Sequence, residues 1–167
     1  MREEDLNDFS AFLKEFQDET DRGAALVGAA LLDQKLADTL RGFMVKSPAA
    51  DELLDGGAAP IGSFSARIKA AFALGLIDVH ERHECDLIRK VRNEFAHRTH
   101  GTTFADSKIA ALCNALESDL PGGASSFDGN ARAIYINAVV LTVLRLTYRS
   151  EYVARERRTT RTWPYAQ

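Results

Sequence analysis

The sequence predicts a single all-α domain, a bundle of about five to seven helices. The chain has 167 residues, a length at which one domain buries roughly two-thirds of the surface that its unfolded chain exposes. Only four prolines occur, and all of them lie at or beyond the limits of long segments in which apolar residues recur at helical spacing. No segment alternates apolar and polar residues convincingly, so no strand is predicted.

The first two predicted helices occupy the segment before residue 45. In the first, aromatic and aliphatic residues recur at spacings of three and four, which is typical of an amphipathic helix: Leu6, Phe9, Phe12, Leu13 and Phe16. The second, from about Thr20 to Met44, is rich in Ala and Leu, and its small residues let another backbone approach, so it is predicted to be a buried central helix. Residues 45–63 contain two prolines and a Gly-Gly pair, which predicts a loop with at most a short helical turn.

Two closely spaced helices are predicted next. Ser63 can cap a helix that runs as far as Gly75, which takes the position where a left-handed residue commonly ends a helix. Asp78 and Glu81 have the spacing of a capping box. The following helix, about 79–97, therefore starts almost at once, and the two helices form a tight hairpin.

Two more helices are predicted in the last third of the chain. Asp106 or Ser107 can cap one that runs to about Leu120, where a Pro-Gly-Gly sequence breaks the chain. The last helix begins near Gly129 and continues towards Val153. Its middle is apolar almost all round, which predicts burial on several sides or contact with a second subunit.

Charged residues are distributed unevenly between the two ends of the chain. Residues 1–21 hold eight acids against two bases, whereas residues 145–161 hold six arginines against two acids. Attraction between the two ends, within or between subunits, is one expectation; a solvated tail is the other. The domain is expected to span residues 1–156, with an Arg-rich, flexible tail at 157–167.

The composition excludes several classes of function. The net charge of −3 argues against a surface that coats nucleic acid, because phosphate binding needs a basic face, although a local basic site is still allowed. Two cysteines make neither a disulfide framework nor a zinc set, and His80, His83 and Glu84 form no convincing metal site, so no metal or cofactor is expected. Without about 18 consecutive apolar residues or a secretory signal, a cytoplasmic location away from membranes is expected.

The most conspicuous polar cluster is Arg92-Asn93-x-x-x-His97, which combines a guanidinium, an amide and an imidazole that titrates near neutral pH. Asn93 and His97 share a helix face, whereas Arg92 and His97 lie about 140° apart around the helix. The set suits metal-independent cleavage of RNA, in which His97 moves a proton, Arg92 holds the phosphate and Asn93 orients either group. In the structural alternative, Arg92 pairs with Asp86, Glu94 or another acid and His97 closes the helix C-terminus.

This cluster resembles the R-x-x-x-x-H signature of HEPN (higher eukaryotes and prokaryotes nucleotide-binding) domains, including the polar residue after the arginine. Further blocks resemble the central signature of the mannitol operon repressor family, which belongs to the same helical superfamily. These blocks are Leu53-Leu54-Asp55-Gly56, Pro60-Ile61-Gly62-Ser63-Phe64-Ser65-Ala66-Arg67-Ile68-Lys69 and Leu74-Gly75-Leu76-Ile77. The similarity covers about residues 24–115 and implies a HEPN-like helical bundle.

The two resemblances imply one fold and different functions. Mannitol repressors are described as negative regulators of transcription, but the family lacks a usual DNA-reading domain, and this chain has no recognisable helix-turn-helix with a basic recognition helix. The first expectation is therefore a regulator of a sugar-uptake operon that acts through a protein partner and does not bind specific DNA sequences alone. The HEPN alternative is an RNA endonuclease or toxin with an antitoxin partner, in which Arg92, Asn93 and His97 are catalytic. A homodimer is expected in both cases.

Three further basic residues, Arg67, Lys69 and Arg98, are candidates for binding. Arg67 and Lys69 belong to the family block and are candidates for facing a phosphate, but their i, i+2 spacing puts them on different sides of a helix. The favoured expectation is that Arg67 forms a buried ion pair that fixes the helix hairpin to the loop at Asp55. Ser65 is expected to be a capping or packing residue, since no histidine and acid lie beside it in the sequence.

Overall fold

The computed structural model describes residues 2–98, 100–123, 127 and 129–165, and in that part of the chain all regular structure is helical. The α-helices are, in chain order, α1 (Glu3–Asp18), α2 (Asp21–Phe43), α3 (Pro48–Leu54), α4 (Phe64–Ala73), α5 (Val79–His97), α6 (Ser107–Asn114), α7 (Ala131–Leu146) and α8 (Arg149–Val153). A 3-10 turn at Ala154–Glu156 follows α8. The predicted all-α bundle is confirmed.

Helix α2 is the centre of the bundle, as its Ala- and Leu-rich sequence predicts. It packs against α4, α5, α7 and α8. Its core face carries three fully buried leucines: Leu32, Leu36 and Leu40. Glycines allow its closest contacts, because a Cβ at Gly28 would lie 3.0 Å from the Phe16 ring and one at Gly42 would lie 2.7 Å from the carbonyl oxygen of Ser150.

The caps of the α4–α5 hairpin are those predicted. The Ser63 hydroxyl accepts a hydrogen bond from the main chain of α4, and Gly75 has a φ of +70°, the left-handed conformation that glycine adopts readily. The Asp78 carboxylate accepts from the Glu81 amide at 2.8 Å, and the Glu81 carboxylate accepts from the Asp78 amide at 2.9 Å. The reciprocal pair starts α5 at Val79 without a longer loop.

Helix α3 lies inside the segment predicted as a loop, and it has seven residues rather than a short turn. The Ser47 hydroxyl caps it by accepting from the Ala50 amide, and Pro48 takes the first helical position, where its missing N–H costs nothing. The Ser-Pro dipeptide therefore begins a helix here.

Helix α6 ends at Asn114, earlier than the predicted end near Leu120. The cause is tertiary, because the buried Glu84 of α5 accepts hydrogen bonds from the amide of Glu117, at 2.9 Å, and from the hydroxyl of Ser118. These contacts hold the chain against α5 in a non-helical path. Local sequence carries no signal for this interruption.

Helix α7 is buried on several sides, as predicted, and packs against α2, α5 and α6. Tyr135 lies wholly inside the core, where its hydroxyl donates to the carbonyl oxygen of Ala25 at 3.0 Å and burial raises the pKa of the phenol. By length and composition, the segment Ala131–Glu156 contains a window apolar enough to cross a membrane. Half of that window is buried inside the bundle, which is typical of a core helix.

The two ends of the chain meet, although through different charges from those expected. The guanidinium of Arg2 lies 2.7 Å from the carboxylate of Glu151. A base of the acidic end therefore pairs with an acid of the basic end. Nearer the end of the acidic segment, Asp21 pairs with Arg132 of α7 at 3.1 Å, so α7 rather than the C-terminal segment neutralises it.

The first two residues of the predicted tail contact the bundle. The Arg157 guanidinium donates to the carbonyl oxygens of Arg41 and Met44, each at 3.2 Å, and the amide of Arg158 donates to the carbonyl oxygen of Phe43 at 2.8 Å. These bonds satisfy acceptors at the C-terminal end of α2. The tail's last two positions, 166 and 167, lie outside the described residues.

Both cysteines are free and buried. Burial raises the pKa of Cys85, and it raises the pKa of Cys113 to about 12. Because the thiolate is the reactive form, neither side chain is a nucleophile near neutral pH. The two residues contribute to the hydrophobic core.

Candidate functional site

A cleft of about 550 Å³ lies between α2, α5 and the N-terminal end of α4. Each wall comes from residues that share a helix face or a single turn. We call it the arginine cleft; it is lined by Leu26, Ala29, Ala30 and Asp33 of α2, by Gly62, Ser63, Phe64 and Ser65 at the start of α4, and by Arg89, Arg92 and Asn93 of α5. Two of the three residues of the predicted catalytic cluster therefore lie on one wall.

Arg92 is exposed and has no ion pair among the described residues. Its guanidinium donates to the side-chain oxygen of Asn93 at 3.1 Å. The expectation that it pairs with Asp86 or Glu94 is wrong for a simple reason: both acids have other partners. Asp86 lies 3.3 Å from Arg89, and Glu94 lies 2.6 Å from a lysine of α6.

Arg89 is the second guanidinium of the cleft and the residue that sequence reasoning missed. It precedes Arg92 by three positions and Asn93 by four, so the three side chains share one face of α5. That spacing is the signal by which it could have been found. Its side chain is 25% exposed, and its Nε is buried with no acceptor among the described residues.

Arg67 is a structural arginine behind the cleft. Its guanidinium lies 2.9 Å from the carboxylate of Asp33 and donates to the carbonyl oxygens of Leu54, at 2.9 Å, and Ile61, at 3.2 Å. It therefore ties α4 to α2, to the end of α3 and to the segment that follows α3. The predicted ion pair with Asp55 is wrong, since that acid pairs with an arginine of α2 at 2.7 Å.

The other two binding candidates lie outside the cleft lining. Lys69 is exposed on α4. Arg98 follows α5, and its guanidinium lies 3.4 Å from Asp106 and 3.7 Å from Glu94. Arg98 thus connects the end of α5 to the start of α6.

His97 is the last residue of α5 and is exposed. It takes the helix C-terminal position that the structural alternative assigned to it, where a positive charge would be favourable. It does not line the arginine cleft. The structure thus brings Arg92 and Asn93 together and leaves the imidazole outside, whereas Ser65, expected only to cap or pack, lines the cleft with them.

A separate group of titratable residues lies at the other end of α5. The imidazoles of His80 and His83 lie 3.9 Å and 3.8 Å from the Glu117 carboxylate. Glu84, which is fully buried, accepts the hydrogen bonds from the same loop described above. These contacts hold the segment after α6 against α5.

A model of the family described as "MtlR: Mannitol repressor" matches residues 30–141, more than half of the chain. The chain belongs to the mannitol repressor family. The matched region begins within α2 and ends within α7, so it includes every lining residue of the arginine cleft except Leu26 and Ala29.

Among solved structures, this chain is similar to a chain in the X-ray structure of the MtlR-HPr complex from Escherichia coli. The TM-score is 0.57 with 24% sequence identity, over 87% of this chain and 98% of that chain. At this identity the likeness shows a shared fold. No curated protein matches this chain.

Proposed function

We propose that this chain is a cytoplasmic regulatory protein that exerts negative control over transcription of a sugar-uptake operon by contact with another protein. The family match over residues 30–141 carries the proposal. A chain of similar fold was solved as the MtlR-HPr complex, which supports HPr as the partner.

The second helix of the α4–α5 hairpin is a poor DNA-reading element. Two of the three arginines of that helix, Arg82 and Arg89, share the acid Asp86, which leaves Arg92 as its arginine without an acid partner among the described residues. Arg98, just after the helix, lies 3.7 Å from Glu94. DNA binding depends on bases that are free to neutralise phosphates. Together with a net charge of −3, this arrangement favours a protein partner.

The purified protein is expected to bind the HPr encoded in the same genome, with saturable heat exchange in isothermal titration calorimetry. In a gel-shift assay at physiological salt, the protein is expected to bind operator DNA weakly and without sequence preference, or not at all. As the control, an unrelated acidic protein replaces HPr in the same titration. An absence of HPr binding, combined with nanomolar and sequence-selective binding of DNA, would contradict the proposal.

Two finer statements stay predictions. One is the placement within the HEPN superfamily, which rests on the Arg92-Asn93-x-x-x-His97 resemblance. The other is the homodimer, which is supported by half-buried apolar side chains on α7, namely Ile134, Val140, Leu141 and Leu144. Such a face is a candidate for contact with a second copy.

The nuclease alternative also stays a prediction, and the position of His97 gives no support to it. An imidazole outside the cleft is poorly placed to share a scissile phosphate with Arg92. We expect mixed single-stranded and transfer RNA to remain intact in EDTA when it is incubated with either the wild type or His97→Ala. Cleavage in EDTA that falls by about a hundredfold in His97→Ala would instead assign a general acid or base to this position.

A further inference from the structure

The arginine cleft carries an excess of positive charge in a protein that is acidic as a whole. Asp33 is paired with Arg67 at 2.9 Å, and Asp86 lies 3.3 Å from Arg89 while also approaching a second arginine of α5. Arg92 has no acid partner among the described residues. Clefts lined by one sign of charge concentrate ligands of the opposite sign.

The polar groups of the α5 wall are hydrogen-bond donors. Because the oxygen of Asn93 accepts from Arg92, the amide nitrogen of Asn93 keeps its donors. Arg89 has a buried Nε–H that no described group accepts, and a buried donor of this kind needs an acceptor. Two guanidiniums and one amide on a single face therefore call for a ligand rich in acceptor oxygens.

The N-terminal end of α4 adds to the same field. This end of a helix carries partial positive charge and main-chain N–H groups, and it favours anions. The first turn of α4 contains no acid that would neutralise this end. Gly62, Ser63, Phe64 and Ser65 at this end line the cleft opposite the arginines, so both polar walls favour an anion between them.

The cleft has the size and wall character of a small-molecule site. Its volume of about 550 Å³ falls within the range typical of ligand pockets. The wall from α2 is apolar at Leu26, Ala29 and Ala30, and the hydroxyls of Ser63 and Ser65 lie along the α4 wall. A ligand with an anionic end and a hydroxylated carbon body matches both characters.

We propose that the arginine cleft binds a small phosphate monoester with a hydroxylated organic part. The guanidiniums of Arg89 and Arg92, with the Asn93 amide, hold the phosphate oxygens against the N-terminal end of α4. Ser63 and Ser65 contact hydroxyls of the organic part, and Ala29 and Ala30 leave room for it. This proposal rests on the cleft and not on the proposed function, so failure of either leaves the other standing.

Isothermal titration with glucose 6-phosphate, AMP, inorganic phosphate and glucose tests the ligand class. We expect saturable 1:1 binding of at least one of the two monoesters, weaker binding of inorganic phosphate and no binding of glucose. Binding of inorganic phosphate as tightly as both monoesters would overturn the organic part of the proposal. If none of the three phosphate compounds binds, the whole proposal is overturned. Tight binding of a single-stranded RNA oligonucleotide without binding of either monoester would also overturn it.

Variants then test the site with whichever monoester binds best. Arg92→Lys should weaken binding about tenfold or more, because an ammonium does not reproduce the planar fork of a guanidinium. Ala30→Phe, at an exposed position of α2, should abolish binding by filling the cleft. Arg92 is itself exposed, so both variants should keep the wild-type circular dichroism spectrum and melting temperature.

Lys69→Ala is the matched control for Arg92→Ala, since each variant removes one positive charge and Lys69 lies on α4 outside the cleft lining. We expect the affinity of Lys69→Ala to equal that of the wild type. An equal loss of affinity in Lys69→Ala and Arg92→Ala would show diffuse attraction by surface charge and would overturn the proposed site. Unchanged affinity in both Arg92→Lys and Ala30→Phe would also overturn the proposed site.

Discussion

Replacing Arg149 with methionine is expected to lower the free energy of unfolding by about 3 kcal/mol, the lower end of the range for breaking a buried ion pair. The Arg149 guanidinium meets the two carboxylate oxygens of Glu81 at 2.6 Å and 3.1 Å and donates to the carbonyl oxygen of Leu76 at 2.7 Å. Glu81 is only 2% exposed. Methionine retains much of the packing volume but leaves this carboxylate buried without its cation.

Urea denaturation followed by circular dichroism measures the loss. Lys108→Met is the control, because it breaks an ion pair of 2.6 Å with Glu94 in which the lysine side chain is 64% exposed. We expect that variant to cost less than about 1 kcal/mol. If both variants lose the same small amount, the Arg149–Glu81 pair is not a buried stabilising contact between α5 and α8.

Phe95→Ala should be at least as damaging, with an expected loss of about 3–5 kcal/mol. Phe95 is fully buried, and its ring centre lies 4.9 Å from that of Phe104, which in turn lies 5.2 Å from Tyr135. The aromatic row joins the end of α5 to the segment before α6 and to α7. Removing the first ring leaves a cavity that the neighbouring helices can fill only partly.

Phe9→Ala on α1 is the matched control, since it removes the same ring from a half-buried position. We expect less than about half the loss of the Phe95 variant, because less apolar surface is buried there. Equal midpoints of urea unfolding for the two variants would mean that the α5–α7 contact relaxes to close the cavity.

Local signals in the sequence predicted much of the fold. Ser63, Asp78 and Glu81 act within a single helical turn, so the starts of α4 and α5 can be read from neighbouring residues. The end of α6 depends on Glu84, which reaches a loop more than thirty positions later. No local pattern contains that information.

The candidate site was predicted only in part, because local patterns identify residues on one helix and not the contacts between helices. Arg92 and Asn93 were found through a motif, and Arg89 could have been found from its helical spacing to these two residues. The partner of Arg67, however, is Asp33 of α2, which only the packing of α4 on α2 brings close. The exclusion of His97 from the cleft depends on where the helices cross, which residue spacing does not determine.

The C-terminal end of α2 accepts its hydrogen bonds from Arg157, which lies more than a hundred residues later in the chain. During synthesis the central helix therefore emerges long before α7, α8 and the residues that complete it. Its leucines and close-packed glycines therefore meet partners that leave the ribosome later than they do. Chains that terminate before α7 would expose this apolar face and be prone to aggregation.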